Sequence, residues 1–237
     1  MPKYIFFDLD NTLSRSRTPV TPEMSSLLKR LSKKHEVIVV SGANAKQIAF
    51  QLGDALKGRY WVMGQNGNLC EDKLGNVLWE NKMNWLQKLE VFAYAEKVIV
   101  AKAFTYKTKT DLVDDRGCQV SFSIYGHTQP IAIKELVDPD QVKRQAILKK
   151  FPFKSREVEV KIAGTTCLDF FIKGKNKGSN VSDLYKKMKW RKNDCLYVGD
   201  ALYKNGNDET VIGIVPTQKV ADPKETEDVI RDILRKS

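Results

Sequence analysis

Asp8 and Asp10 stand two residues apart at the end of a short apolar run, in the segment Asp8-Leu9-Asp10-Asn11-Thr12. Two carboxylates this close repel each other, and a hard divalent cation relieves that repulsion. A carboxylate is also a nucleophile toward phosphorus. Its attack on a phosphate ester needs a cation, a lysine and hydroxyl or N–H donors around the phosphoryl oxygens. The chain offers each. Ser41, with neighbouring N–H groups such as that of Gly42, follows the apolar run Val37 to Val40. Lys177 lies in Gly174-Lys175-Asn176-Lys177-Gly178, just before a helical pattern. Asp200 follows the apolar run Leu196 to Val198, and Asn207 and Asp208 come after a turn containing Gly206. Asp200 and Asp208 could complete an oxygen-ligand Mg²⁺ site, and Thr12 could hold the first loop. Asp8 and Asp10 alone would read as a strand-end turn with Asx hydrogen bonds; the other strand-end groups favour chemistry.

These residues are positioned by a recurring pattern. Tyr4 to Phe7, Val37 to Val40 and Tyr60 to Met63 read as buried strands, separated by helices over Met24–Leu31 and Ala45–Leu52. Strand, helix, strand, helix, strand implies a parallel sheet with right-handed crossovers, whose site lies beyond the carboxyl ends. Leu69 to Trp79 has hairpin character. The middle then mixes helices (Trp85–Val98, and one opened by Asp138-Pro139-Asp140) with alternating strands (Gln119–Tyr125, Val158–Ile162, Cys167–Ile172). It reads as an α+β unit with one exposed sheet face. The last third resumes the pattern of the first, with a helix over Asn180–Met188, strands at Leu196–Val198 and Ile212–Val215, and a helix over Pro223–Leu234. The expected boundaries are a core of 1–82 and 174–237 with an inserted domain at 83–173, hinged near Asn81-Lys82 and Lys173-Gly174. Trp61, Trp79, Trp85 and Trp190 read as packing residues.

Of 237 residues, 42% are hydrophobic and 29% charged, a globular composition. Lys plus Arg number 40 against 29 acids, a formal charge of +11. This favours an anionic partner. The charge is spread along the chain, without zinc-finger spacing or regular aromatic interleaving, so specific nucleic-acid binding is not expected. Two histidines leave little for a histidine-built metal site. Cys70, Cys118, Cys167 and Cys195 form no C-x-x-C pair and read as buried reduced thiols. With no signal-peptide pattern and no long apolar run, the expectation is a cytoplasmic protein off the membrane.

In order along the chain, the four strand-end motifs resemble those of the haloacid dehalogenase superfamily: Asp-x-Asp-x-Thr, a second-strand Ser, a Lys before a helix, and the acidic segment Gly199-Asp200 to Asn207-Asp208. Gln65-Asn66-Gly67 and the central insertion resemble the branch with a type IIB cap. The resemblance implies an α/β fold, a Rossmann-like parallel-sheet core carrying an inserted α+β cap. Asp8 would then be the nucleophile, Asp10 the acid and base, and Ser41 and Lys177 the phosphoryl grip. Asp8, Asp200 and the Asp10 carbonyl would hold Mg²⁺, with Asn207 and Asp208 supporting. Thr12, Gly42 and Asn66 would contact substrate.

Within that branch the chain is similar to the eukaryotic-type phosphomannomutases, through Asp115-Arg116-Gly117-Cys118-Gln119-Val120-Ser121 and Cys167-Leu168-Asp169-Phe170-Phe171. Arg116 would grip a second phosphate, and Asp169 would bind sugar hydroxyls. The mutase pattern departs at His127, where another arginine is expected, at Cys167, where a serine is, and at Gln65, where an acid is. Neutral imidazole replaces a bidentate guanidinium poorly; Lys134 and Lys161 are candidate substitutes. His127 could instead only end its strand and bond to backbone. The reading from sequence is therefore Mg²⁺-dependent hydrolysis of a small phosphate monoester, with a sugar phosphate foremost. Hexose-phosphate mutase activity stands second, ahead of nucleic-acid end hydrolysis and a non-catalytic interaction role. The cap sheet's outer face is a candidate homodimer surface.

Overall fold

The computed structural model describes residues 1–204 and 206–237. They form two compact units, Met1–Glu80 with Lys175–Ser237, and Asn81–Gly174. Along the chain run β1 (Tyr4–Asp8), α1 (Pro22–Leu31), β2 (Glu36–Val40), α2 (Ala45–Leu52), β3 (Tyr60–Gly64), β4 (Leu69–Glu71) and β5 (Val77–Glu80). The second unit holds α3 (Trp85–Val100), β6 (Val113–Asp115), β7 (Gln119–Ser123), α4 (Ile131–Val137), α5 (Val142–Lys150), β8 (Val158–Ala163) and β9 (Cys167–Ile172). The chain then returns through α6 (Lys177–Lys187), β10 (Cys195–Gly199), β11 (Thr217–Lys219) and α7 (Pro223–Lys236).

The first unit is built on a seven-stranded sheet of order β11-β10-β1-β2-β3-β4-β5. Its first five strands are parallel, and β4 and β5 add an antiparallel hairpin. The central strands are apolar throughout because both faces are covered. Ile5 and Phe7 join Val37, Val39 and side chains of α1, α2 and α7 in one core. Phe6 joins Ile38, Val40 and the α6 residues Val181 and Leu184 in another. Successive strands step away from β1 in one direction through β2 and β3, whereas β10 pairs on its other edge. The strand order therefore reverses between β1 and β10, where an open α/β sheet leaves a crevice. Phe7 pairs with Val198 and Asp8 with Val40, so the carboxyl ends of β10, β1 and β2 come side by side.

The helix starts follow their capping residues. Thr21 caps α1 with Pro22 behind it, and Asn176 accepts from Ser179 N–H to cap α6. The cap makes Lys177 the first residue of α6, earlier than the apolar periodicity suggests. After β3 the chain enters three consecutive left-handed residues, Gln65 (φ 52°), Asn66 (61°) and Gly67 (84°). The expected strand at Ile212–Val215 is instead a tight turn closed by one isolated bridge. Gly213 takes φ 84° there, and Pro216 offers no N–H to a ladder. Val211 and Val215 are buried by packing, while the edge strand falls at Thr217–Lys219.

The second unit has an antiparallel sheet of order β6-β7-β9-β8. Val120, Phe122, Leu168 and Phe170 pack with Val91, Val98 and Ile147 of the helices. A reciprocal Asn84–Gln87 capping box starts α3. The other sheet face, expected to be exposed, is instead buried, its polar side chains bonded to one another. Ser121 and Gln119 bond to Asp169, and Ser123 to Thr166. Trp61 and Trp190 pack edge-on in the first unit at 5.6 Å, but Trp85 is 71% exposed. It precedes the buried stripe Val91, Tyr94, Ala95 and Val98.

Candidate active site

Asp8 ends β1, and Asp200 follows β10. Lys177 comes from the first turn of α6, and Asp208 from the loop after β10. Their side chains converge in the first unit. Lys177 Nζ donates to Asp8 Oδ1 at 2.5 Å and to Asp208 Oδ1 at 2.7 Å, and all three residues are buried. Carboxylate oxygens of Asp8, Asp200 and Asp208 lie within 4.8 Å of one another. Two carboxylates thus hold one ammonium, and a third carboxylate lies beside them. Burial first, and then the charges of Asp208 and Asp200, raise the Asp8 carboxyl well above its usual range, although Lys177 opposes this. Asp200 is raised by burial and by Asp208. Burial alone would lower Lys177, but Asp208 and Asp8 overcome it and hold the ammonium protonated.

Asp208 Oδ2 is buried and has no hydrogen-bond partner among the described residues. A lone oxygen inside an all-oxygen acidic group fits a hard divalent cation such as Mg²⁺. Gly199 leaves room for it: a Cβ there would collide with Asp208 Oδ2 and the Tyr197 ring.

The Asp10 carboxylate is engaged elsewhere. Its Oδ1 accepts from Arg17 N–H at 2.8 Å and from Gln51 Nε2 at 3.2 Å. Thr12 Oγ1 donates to Asp200 Oδ1 and accepts from Asp200 N–H. Ser41 is buried, its hydroxyl accepting from Ala43 N–H beyond Gly42, and its carbonyl accepting from Asn66 N–H. The Asn66 carbonyl in turn accepts from Asn180 Nδ2 on α6. Asn207 is exposed, whereas its neighbour Asp208 is fully buried. Asn205, inside the same motif, lies outside the described residues.

Arg116, His127 and Asp169 gather in the second unit. Arg116 Nε pairs with Asp114 at 2.7 Å and feels the charge of Asp169. Asp169 accepts from Ser121 Oγ at 2.5 Å. His127 Nε2 lies 3.0 Å from the Ser121 carbonyl. Lys134, only 2% exposed, donates to the His127 carbonyl. Cys167 belongs to the same group. Burial would raise its thiol, but His127 beside it brings it down to about 7.

Two buried residues escape a reading of the sequence. Tyr197 donates to Asp208 Oδ1 at 2.7 Å, and Gln51 reaches Asp10. The available signals were a hydroxyl in the middle of an apolar strand and an amide beside Leu52 on the buried face of α2.

Residues 5–211 match the haloacid dehalogenase-like hydrolase family. The chain belongs to that family. Its fold is the haloacid dehalogenase one, a Rossmann-like core with an inserted cap, here the second unit. Among curated relatives, a phosphomannomutase of Glycine max is 28% identical over 231 residues, covering 86% of this chain and 84% of its own. Phosphomannomutase 1 of Dictyostelium discoideum is 25% identical and covers 97% of this chain and 96% of its own. Among solved structures, the IMP-bound IMP-nucleotidase of Plasmodium falciparum matches 99% of this chain and 68% of its own, with TM-score 0.66 and 18% identity. A haloacid dehalogenase-like hydrolase of Bacteroides thetaiotaomicron matches both chains over 100%, with TM-score 0.64 and 14% identity. These structural likenesses concern the fold. Among the described residues, no helix of this haloacid dehalogenase family member is long and apolar enough to cross a membrane.

Proposed function

We propose that the chain is a Mg²⁺-dependent phosphate-monoester hydrolase acting on a small phosphorylated metabolite, foremost a sugar phosphate. The observation that carries this reading is the Lys177 ammonium held between Asp8 and Asp208, beside an orphaned carboxylate oxygen. Asp8, Asp200 and Asp208 would hold the cation, together with the Asp10 carbonyl. When bound, Mg²⁺ would offset the charge of the phosphoryl oxygens and of the three carboxylates.

An Asp8 carboxylate oxygen attacks phosphorus, the ester P–O bond breaks, and Asp10 gives its proton to the departing alkoxide. Water then attacks phosphorus and passes a proton to Asp10. The bond from phosphorus to Asp8 breaks, and inorganic phosphate leaves. Lys177, Ser41 and the N–H groups near Gly42 steady the phosphoryl oxygens in both steps. The cap supplies selection through Arg116, His127 and Asp169.

A mutase reading has one observation of its own. Arg116, His127 and buried Lys134 gather around Cys167 and Asp169, a cationic group able to take a second phosphate. The curated relatives described above are named phosphomannomutases.

The two are separated by ³¹P NMR of the protein with mannose 1-phosphate, Mg²⁺ and a trace of hexose 1,6-bisphosphate, with Asp8→Asn alongside. Release of inorganic phosphate, absent in the variant, supports the hydrolase. Stoichiometric mannose 6-phosphate without phosphate release overturns it in favour of the mutase. An unchanged spectrum removes this substrate from both.

A further inference from the structure

We infer that Tyr197 is a positioning residue for the metal: its phenol fixes which oxygen of Asp208 faces the cation. The inference rests on the Mg²⁺ reading of the acidic group and adds a residue to it. Tyr197 lies on β10, fully buried, with its hydroxyl 2.7 Å from Asp208 Oδ1. That same oxygen accepts from Lys177 Nζ at 2.7 Å, so one oxygen carries both donors and Oδ2 carries none.

The asymmetry needs a cause. A carboxylate can turn about its terminal bond and exchange its two oxygens. Lys177 alone would not prevent this, because an ammonium on a flexible four-carbon stem can follow either oxygen. A phenol on a buried central strand cannot follow. Tyr197 is flanked in the sheet by β1 and β11, and its ring packs in the core with Val181, Leu184 and Val211. Turning Asp208 would leave the phenol without its partner in a dry interior, which burial makes unfavourable. Gly199, two residues further on the same strand, keeps the space beside Oδ2 clear. Tyr197 thus holds Oδ1 while Oδ2 is left without a hydrogen-bond partner among the described residues. It touches no reacting atom and acts only through Asp208.

The test is calorimetric titration of Mg²⁺ into the full chain and into Tyr197→Phe, with metal-free melting curves of both. Removing a group that orients a metal ligand typically weakens metal binding by about 10–100-fold. The expected result is a rise in Kd of at least about tenfold for Tyr197→Phe. A chain with 4-aminophenylalanine at this position keeps an N–H donor and should recover most of the affinity. Equal Mg²⁺ affinity in Tyr197→Phe and the unaltered chain overturns the inference, even if the variant melts earlier, since that is all a packing role would produce. Absence of Mg²⁺ binding by the unaltered chain removes the metal reading itself. If Tyr197→Phe does not fold, 3-fluorotyrosine placed at 197 carries the test: its fluorine resonance must shift on Mg²⁺ addition, and an unmoved resonance overturns the inference.

Discussion

Thr12 and Asp200, 188 positions apart in the chain, hold each other by two hydrogen bonds. The Thr12 hydroxyl accepts from Asp200 N–H at 3.0 Å and donates to Asp200 Oδ1 at 3.1 Å. Through this pair the loop after β1 is tied to the loop after β10, across the reversal in strand order. Thr12→Val keeps the shape, removes both bonds and leaves the Asp200 amide unpaired. The expected loss is about 1–3 kcal/mol. Urea unfolding of the metal-free protein measures it, and Thr12→Ser should restore most of it. A Thr12→Val chain as stable as the original would mean that the tie is incidental.

The acidic group makes metal-free stability depend on pH in a defined direction. Asp8 and Asp200 have raised carboxyls, by burial first and then by neighbouring negative charge, that of Asp208 in both cases. The folded protein therefore holds protons that the unfolded chain releases near the ordinary value of 3.8. The stability this gives is complete below that value and is lost as pH rises through the raised values. Lys177, also raised, keeps its own contribution throughout this window. Melting in EDTA should thus fall as pH rises above that ordinary value, and Mg²⁺ should restore more stability at the higher pH. Asp8→Asn should abolish turnover yet raise the metal-free Tm by roughly 2–4 °C, the effect of about 1 kcal/mol in a chain of this size. A metal-free Tm that is flat or rising over this range would contradict the account.

The candidate site was legible because each of its groups interrupts a local pattern. Asp8 ends an apolar run, Ser41 ends another, and Lys177 stands at a helix start. Tyr197 and Gln51 interrupt their patterns only faintly. A tyrosine in a strand and a glutamine in a helix are ordinary locally, and their partners Asp208 and Asp10 are fixed only by the fold. Ile212–Val215 misled for the opposite reason: β-branched residues suggest a strand, and the backbone of Gly213 and Pro216 overrides them. Helix α4 gave no start signal, since no side chain caps it behind Pro130. In the cap, Arg116, His127 and Asp169 were visible by resemblance. That Asp114, Ser121 and Gln119 occupy them was not.

Gly178 inverts an ordinary rule. Glycine to alanine inside a helix usually gains about 1 kcal/mol. Here the position faces the segment Glu209–Val211, and Gly178 N–H donates to Thr210 Oγ1 at 3.1 Å. A Cβ at Gly178 would land on the Thr210 carbonyl, which is backbone and cannot swing away. Gly178→Ala should therefore destabilise by about 1–3 kcal/mol, the range for overpacking. It should also lower kcat, because Lys177 precedes it and Asp208 lies just before the displaced segment. Thermal melts and steady-state rates on one preparation check both, and a more stable Gly178→Ala chain would refute the close approach.

Gln51 bears on the proposed acid and base. Its Nε2 donates to Asp10 Oδ1 at 3.2 Å and to Ser14 Oγ at 3.0 Å, and its Oε1 accepts from Gln47. The amide is fully buried, so this chain of bonds steadies the half-buried Asp10 in one orientation. Gln51→Leu retains the bulk and loses the donor. A mispositioned acid harms poor leaving groups most, because an alkoxide needs its proton as the ester bond breaks and a nitrophenolate does not. Gln51→Leu should slow hydrolysis of a sugar phosphate about tenfold while changing p-nitrophenyl phosphate hydrolysis less than about twofold, a fraction of the 10²–10⁴ that general acid catalysis supplies. Equal losses on both substrates would place Gln51 in packing alone, whereas the unequal pattern would tie this amide to proton transfer by Asp10.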